Sequence, residues 1–487
     1  MQGTPFPECA DGRKIMLKKD FLESMRDGQE LSLWQLAVLT MQLSIPAIMA
    51  QLSSIVMQYI DASMVGHLGS GEAASIGLMS SSTWMMGGLC SALSVGFTVQ
   101  VAHFIGAKEE DKARGIVRQG LAVAVIFSCI LLIFGVLIHQ KLPLWLGGEE
   151  GIRENAAVYF LIYCLSLPVL QLNAMAGGML QCSGNMKVPS MLHILMCILD
   201  VLFNSVLIFE TRTLVVFDSE ITIPGAGLGV LGAALGTSLA ELVSVTFMLY
   251  FLLARSPALR LRKEERLAFS KEQLIKAFRL SLPVGFEQVV MCGAQIMSTK
   301  IVSPLGMAAL AANSFSVTAE SLCYMPGHGI GMAATTLIGQ SVGAKREDIT
   351  KRLGWLTVGL GILVMTGTGI LLYIFAPWMI GILSPDPEIR RMGTCVLRIE
   401  AFAEPMYAAS IVASGVFRGA GDTLIPSCMN FFSMWVIRLP LAAFLSKRYG
   451  LAGVWIAMCI ELCVRGVLFL IRLCGKRWRS FGQEKVN

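Results

Sequence analysis

Four acidic residues stand inside stretches that are otherwise almost wholly apolar: Asp61, Asp200, Glu287 and Glu320, with Glu241, Glu400, Glu404 and Glu461 in similar settings. An ionised carboxylate deep in an apolar medium is expensive, so such a group faces a cavity, pairs with a cation or takes up a proton. The chemistry on offer is therefore cation binding and proton exchange. Asp200 lies about 12 residues, roughly 18 Å, into its apolar stretch, and Asn204 follows one helical turn later on the same face. Asp61 approaches from the outer half of the first stretch, so Asp61, Asp200 and Asn204 are expected to form one polar site. Glu287 and Glu320 are each expected near the middle of their helices. The plain alternative for every one of these acids is a hydrogen bond that holds two helices together. Arg438 and Arg465 also fall inside apolar stretches, and Arg438 fits either a buried ion-pair partner or a gate.

The elements that must carry these residues follow from composition. The 487 residues are 55% hydrophobic and only 15% charged, with a mean hydropathy of +0.66. Soluble domains carry about a quarter charged residues, so the solvent here is a bilayer. Apolar runs of about 20 residues recur, long enough for a helix to cross roughly 30 Å of hydrocarbon. They lack the alternation of a membrane barrel. The runs predict spans at roughly 33–64, 74–102, 119–138, 158–182, 188–210 and 228–254, then 275–301, 309–341, 353–382, 392–417, 424–446 and 450–474. The expected fold is an all-α integral membrane protein with twelve transmembrane helices in two homologous six-helix bundles. The expected divisions are a tail (1–32), a first bundle (33–254), a basic connector (255–274), a second bundle (275–474) and a closing tail (475–487).

The net charge of +6 does not point to nucleic acid, because the basic residues sort by loop. Counted over alternate loops, 28 of the 39 Lys and Arg lie on the side that holds both termini, nine on the other, and Arg438 and Arg465 within spans. That bias predicts a multi-pass protein of the inner (plasma) membrane with both termini in the cytoplasm. Met1 to Ser32 lack the short apolar core of a signal peptide. Thirteen cysteines, an odd number lying mostly in spans, read as free thiols.

The bundles repeat one another. Thr98 to Asp111 (TVQVAHFIGAKEED) recurs 237 positions later as Thr335 to Asp348 (TTLIGQSVGAKRED), and the same offset pairs Pro46 with Pro283, Pro168 with Pro405, Gly184 with Gly421 and Pro189 with Pro426. A period this long marks two equivalent halves facing each other, with the working site at their interface. The acids do not follow the repeat: Glu287 and Glu320 pair with Ala50 and Thr83. The duplicated positions thus supply scaffold, and the acids are particular to each half.

Other chemistry finds little support. The glycine-rich runs Gly225 to Gly236 and Gly327 to Ala334 have no Walker lysine and no preceding strand, and they suit close helix packing. Gly419-Ala420-Gly421-Asp422 has the form of an intramembrane aspartyl protease motif, but that chemistry needs a second aspartate at membrane depth, and the duplicate of Asp422 is Asn185. The chain is read as a non-enzyme without a cofactor. An ion channel or receptor is the rival from another class.

A family resemblance enters through Leu282-Pro283 with Glu287-Gln288, Gly306 through Asn313, Met325-Pro326-Gly327 leading to Thr335 through Gln340, Arg418 to Thr423 (RGAGDT) with Pro426, and Arg438-Leu439-Pro440. In this order and spacing they resemble the multidrug and toxic compound extrusion (MATE) family of secondary transporters, in its bacterial NorM- and DinF-like form, across nearly the whole chain. The resemblance implies two six-helix bundles set as a V around a central cavity that opens to alternate sides. It also implies export of bulky, amphipathic, often cationic small organic compounds in exchange for H+ or Na+, by a monomer in the lipid bilayer. The coupling ion would sit at Asp61, Asp200 and Asn204, or at Glu287, with Glu320 a further substrate or ion residue. In one branch of that family the fifth span carries Asn and then Asp four residues on; here the order is Asp200 then Asn204. A flippase of lipid-linked saccharides shares the duplicated layout, but its pyrophosphate cargo calls for a cationic cavity, whereas the buried charges here are mainly acidic.

Overall fold

The computed structural model describes residues 21–216, 219–262 and 269–480. The start of the expected tail, the middle of the basic connector and the end of the closing tail lie outside the described residues. A short helix α1 (Phe21–Arg26) precedes six long crossings. These are α2 (Leu33–Gly66), α3 (Ser70–Gly106), α4 (Glu110–Ile138), then after the single turn α5 (Leu142–Trp145) α6 (Glu150–Cys182), α7 (Lys187–Leu207) and α8 (Gly229–Tyr250). The second half repeats the plan with α9 (Lys271–Val302), α10 (Met307–Gly343) and α11 (Glu347–Leu383). Its fourth crossing is broken into α12 (Pro387–Glu400) and α13 (Glu404–Ala420). Its last two run through α14 (Leu424–Phe431), a π-helical turn over Phe432–Arg438 and α15 (Leu439–Cys474), followed by a turn α16 (Arg477–Ser480).

Among the described residues, nine helical runs are long and apolar enough to cross a bilayer. The last, Leu424–Cys474, holds two passes, because Gly450 inside α15 adopts φ 58° and ψ −137° and reverses the chain. With α10 and the pair α12/α13, the layout is twelve crossings in two six-helix bundles. Prolines stand inside the helices at Pro46, Pro168, Pro283, Pro326 and Pro377. Each removes a main-chain donor that neighbouring helices make tolerable.

The all-α expectation misses one element. Between α7 and α8 the chain forms an antiparallel hairpin of β1 (Glu210–Val216) and β2 (Ser219–Ala226). The segment is short and follows a strongly apolar span, so it carries no periodic signal of its own; β2 is nonetheless a strand directly before the glycine-rich run Gly225 to Gly236, which corrects the expectation that none precedes it. The cysteines among the described residues are free thiols.

The repeated segment closes the molecule at the end that carries α1. Its Gly-Ala-Lys makes the helix stop: Lys108 and Lys345, the non-glycine residues of positive φ among those described (61° and 55°), end α3 and α10. The amide of Glu109 bonds the Phe104 carbonyl and that of Arg346 bonds the Ser341 carbonyl, so the last-turn carbonyls are satisfied. The glycines of the motif let α3 and α10 cross in direct backbone contact. A Cβ on Gly106 would lie 2.1 Å from the Gln340 carbonyl oxygen, and one on Gly343 2.0 Å from that of His103.

Other contacts between the halves lie on this side too. The Ser281 hydroxyl of α9 donates to the Leu93 carbonyl of α3 at 2.9 Å and accepts from the Gly96 amide at 3.2 Å. Gly329 of α10 lies against the backbone of Ala47 and Ile48 on α2. Asp61 and Glu320 stand further along their helices, away from this crossing.

Candidate functional site

In the first half, α2 and α7 bring three of the expected site residues together. The Asn204 amide donates to Asp61 Oδ1 at 3.0 Å and to Asp200 Oδ2 at 3.1 Å. The two carboxyl groups lie within hydrogen-bonding range of one another. Asp200 and Asn204 are fully buried and Asp61 is half-buried. The packing that permits this comes from α8, where a Cβ on Gly236 would fall 2.0 Å from Asn204 Oδ1. Asp200 Oδ1 accepts no hydrogen bond within the hydrogen-bonding geometry of the described residues, although the Thr237 hydroxyl stands beside the carboxylate. Two facing carboxylates joined by one neutral amide repel unless a cation lies between them, and a proton or a sodium ion is small enough for that place.

The surroundings are polar in ways that the acids alone did not announce. Tyr159 of α6 lies within electrostatic reach of Asp61 and Asp200, and Glu241 of α8 within reach of Asp200. The Tyr163 hydroxyl donates to the Thr83 carbonyl at 2.8 Å. Ser54 and His193 Nε2 are 2.6 Å apart, a second polar link between α2 and α7. His193 was legible, because it precedes Asp200 by two helical turns and so shares its face.

The second half divides its acids between two places. Glu287 of α9 accepts from the Ser427 hydroxyl at 2.8 Å, the Asn430 amide at 2.7 Å and the Arg418 guanidinium at 3.3 Å. Its partners are on α14 and at the end of α13, so Glu287 is level with the first two turns of α14, about 5–9 Å from that helix's start. α9 begins at Lys271, earlier than its apolar core, and Glu287 stands near the middle of this helix, beside Gln288, which packs on Gly88 midway along α3. Glu287 is thus a saturated ion pair rather than an isolated acid.

Glu320 of α10 is buried as well. It is within electrostatic reach of Arg438 and Arg465, and of Glu404, which with Glu400 flanks the break between α12 and α13. Glu461 pairs with Arg465 at 3.1 Å and accepts from Ser433. The Arg465 guanidinium lies over the Tyr407 ring, 5.4 Å from its centroid. Both carboxyl oxygens of Glu400 and of Glu404 are buried and accept no hydrogen bond among the described residues. Four acids against two arginines leave this cluster with an excess of anionic capacity.

Asp422 lies apart from both clusters. It is buried in the turn before α14 and bonded to Arg472, with Arg472 Nε 3.0 Å from Oδ2. An aspartate committed to an arginine cannot share a proton with a second aspartate, so the protease motif is a structural turn.

Comparison with known proteins gives the same frame. The family model MatE matches twice, at residues 46–206 and 283–444, two starts that are 237 positions apart. The chain is 26% identical over 447 residues to a probable multidrug resistance protein NorM of Thermotoga maritima, covering 90% of this chain and 92% of that one. It is 26% identical over 430 residues to the uncharacterized transporter YisQ of Bacillus subtilis, covering 86% and 89%. Among solved structures it superposes on a MATE protein in complex with MaL6 with a TM-score of 0.85 at 18% identity, over 96% of this chain and 100% of that one. The fold, the doubled family match and the twelve crossings together make this chain a multi-pass membrane transporter of the MATE family.

Proposed function

We propose that the chain exports amphipathic organic cations by antiport with H+ or Na+, through alternating access between its two halves. The observation that carries this reading is the pair of carboxyls, Asp61 and Asp200, joined by the one amide of Asn204 across α2 and α7. Such a site takes a small cation in one state and releases it when the helices part, which is the requirement for coupling. The acid-rich cluster around Glu320 suits a cationic cargo or a second ion. The multidrug resistance naming of relatives such as the Thermotoga maritima protein points the same way.

In this reading both termini and the basic connector face the cytoplasm of a bacterial inner membrane, following the bias of Lys and Arg. The chain works as a monomer with no bound cofactor. The crossing of α3 and α10 would then be the closed cytoplasmic gate. Cells that express the protein should accumulate less ethidium than cells that do not. Collapse of the proton and sodium gradients together should abolish the difference, and collapse of each alone should name the coupling ion. Efflux that persists with both gradients collapsed would overturn the proposal.

A further inference from the structure

A groove on the lipid-facing side of the second half does not belong to either acidic cluster. It has a volume of about 860 Å³ and lies between α11, α12 and the part of α15 that follows Gly450. Tyr373, Pro377, Phe402 and Ile460 give it apolar walls, and Arg390, Arg391 and Arg398 line it from α12.

The depths agree on all three walls. Arg391 is about 6 Å and Arg398 about 17 Å along α12 from its start, Tyr373 is about 15 Å from the end of α11, and Ile460 about 15 Å past Gly450. These starts and ends lie at the membrane face opposite α1 and α16. The groove therefore runs from that face toward the middle of the bilayer.

The arginines are what make it more than a lipid-facing seam. All three are exposed, and none has an acidic partner within ion-pair distance among the described residues. Asp386, the nearest acid before them, is engaged as the cap of α12 through the Glu388 and Ile389 amides, and Glu388 stands outside the lining. An exposed guanidinium at membrane depth is expensive without an anion. Basic residues are also scarce at this end of the molecule: nine of 39, of which the groove holds three.

Arg390 folds against α11, where a Cβ on Gly381 would meet its Nη2 at 2.8 Å. Arg398 lies over the Tyr373 ring at 5.2 Å and donates to the Tyr373 carbonyl at 3.4 Å, which leaves its terminal nitrogens free of those contacts. Arg391 and Arg398 are two turns apart on one face. Side chains lean toward the start of their helix, so both lean toward the membrane surface.

We propose that this groove binds an anionic phospholipid, with its phosphate held by Arg391 and Arg398 and an acyl chain along Phe402 and Ile460. Guanidinium groups match phosphate oxygens in a bidentate fork, and the apolar walls suit a chain and not a free anion.

The test is native mass spectrometry of the purified full chain in detergent, with dioleoyl phosphatidylglycerol or dioleoyl phosphatidylcholine added. The wild type should retain phosphatidylglycerol at collision energies that strip phosphatidylcholine. The double variant Arg391→Gln/Arg398→Gln should lose at least about fivefold of that excess, and Arg391→Lys/Arg398→Lys, which keeps the charge without the bidentate fork, should fall between it and the wild type. Ile460→Trp, which fills the chain path without touching charge, should also lower retention, and it decides the matter if the glutamine variant does not fold. Equal retention of the two lipids would overturn the proposal, as would unchanged phosphatidylglycerol binding in both the glutamine and tryptophan variants. Displacement of the lipid by millimolar inorganic phosphate would show a free-anion site and overturn it too.

Discussion

His103 and Gln340 stand 237 positions apart, and each reaches across to a main-chain carbonyl of the opposite half. His103 Nε2 donates to the Gly419 carbonyl at 2.8 Å and Gln340 Nε2 to the Cys182 carbonyl at 2.7 Å. Gly419 and Cys182 are also 237 positions apart, so the closure is a two-fold exchange of equivalent bonds. Among the described residues a further tie is present on one side: Arg26 of α1 donates to Gln340 Oε1 at 2.8 and 3.1 Å and to the Ser183 carbonyl at 3.2 Å.

This asymmetry predicts unequal variants. Gln340→Ala removes the bond to Cys182 and the seat of Arg26, whereas His103→Ala removes one bond. With Cys182 as the single remaining cysteine, maleimide labelling should rise several-fold in Gln340→Ala and less in His103→Ala. Labelling that stays at the wild-type level in both would show that these bonds do not hold the end closed.

For the first-half site, Asp61→Asn, Asp200→Asn and Asn204→Leu are each expected to reach the membrane at wild-type abundance and to lose gradient-driven efflux. An amide keeps the hydrogen-bonding shape of the acid but not its charge, so a purely structural acid would tolerate the change. Wild-type ethidium efflux from the three variants would assign these residues to packing alone.

Glu287 should behave differently, because it is saturated by Arg418, Ser427 and Asn430. Glu287→Gln leaves the Arg418 charge without its partner and is expected to lower stability by about 1–3 kcal/mol. Thermal unfolding in detergent would show this as a lower midpoint than that of Asp61→Asn. Midpoints equal to the wild type would count against a structural role for Glu287.

The crossing of α3 and α10 makes a last prediction about glycine. Gly106→Ala and Gly343→Ala place a methyl against a carbonyl oxygen at about 2 Å, while nothing lies within 4 Å of a Cβ on Gly115. The first two should destabilise the closed end by about 1–3 kcal/mol, the usual cost of overpacking, and Gly115→Ala should be neutral or slightly stabilising. A thermal-unfolding series in which all three behave alike would contradict the crossing.

The solvent, the spans and the duplication were legible in the residues alone, because these depend on runs of apolar residues and on an offset that needs no coordinates. Pro46 and Pro283, or the two Gly-Ala-Lys stops, are legible as repeats wherever the helices finally lie. Asp200 and Asn204 on one face also followed from helical period alone. That Asp61 meets them was an expectation that depended on how α2 packs on α7. Helix packing settled the rest. It paired Glu287 with Arg418, 131 residues away, and gathered Glu320, Glu400, Glu404 and Glu461 around two arginines. It set His103 against Gly419, and it formed the hairpin at Glu210–Ala226. Those relations are fixed by which helix faces touch, and in a membrane that choice follows from close packing of small residues such as Gly106, Gly236 and Gly343 rather than from the hydropathy that makes every span look alike.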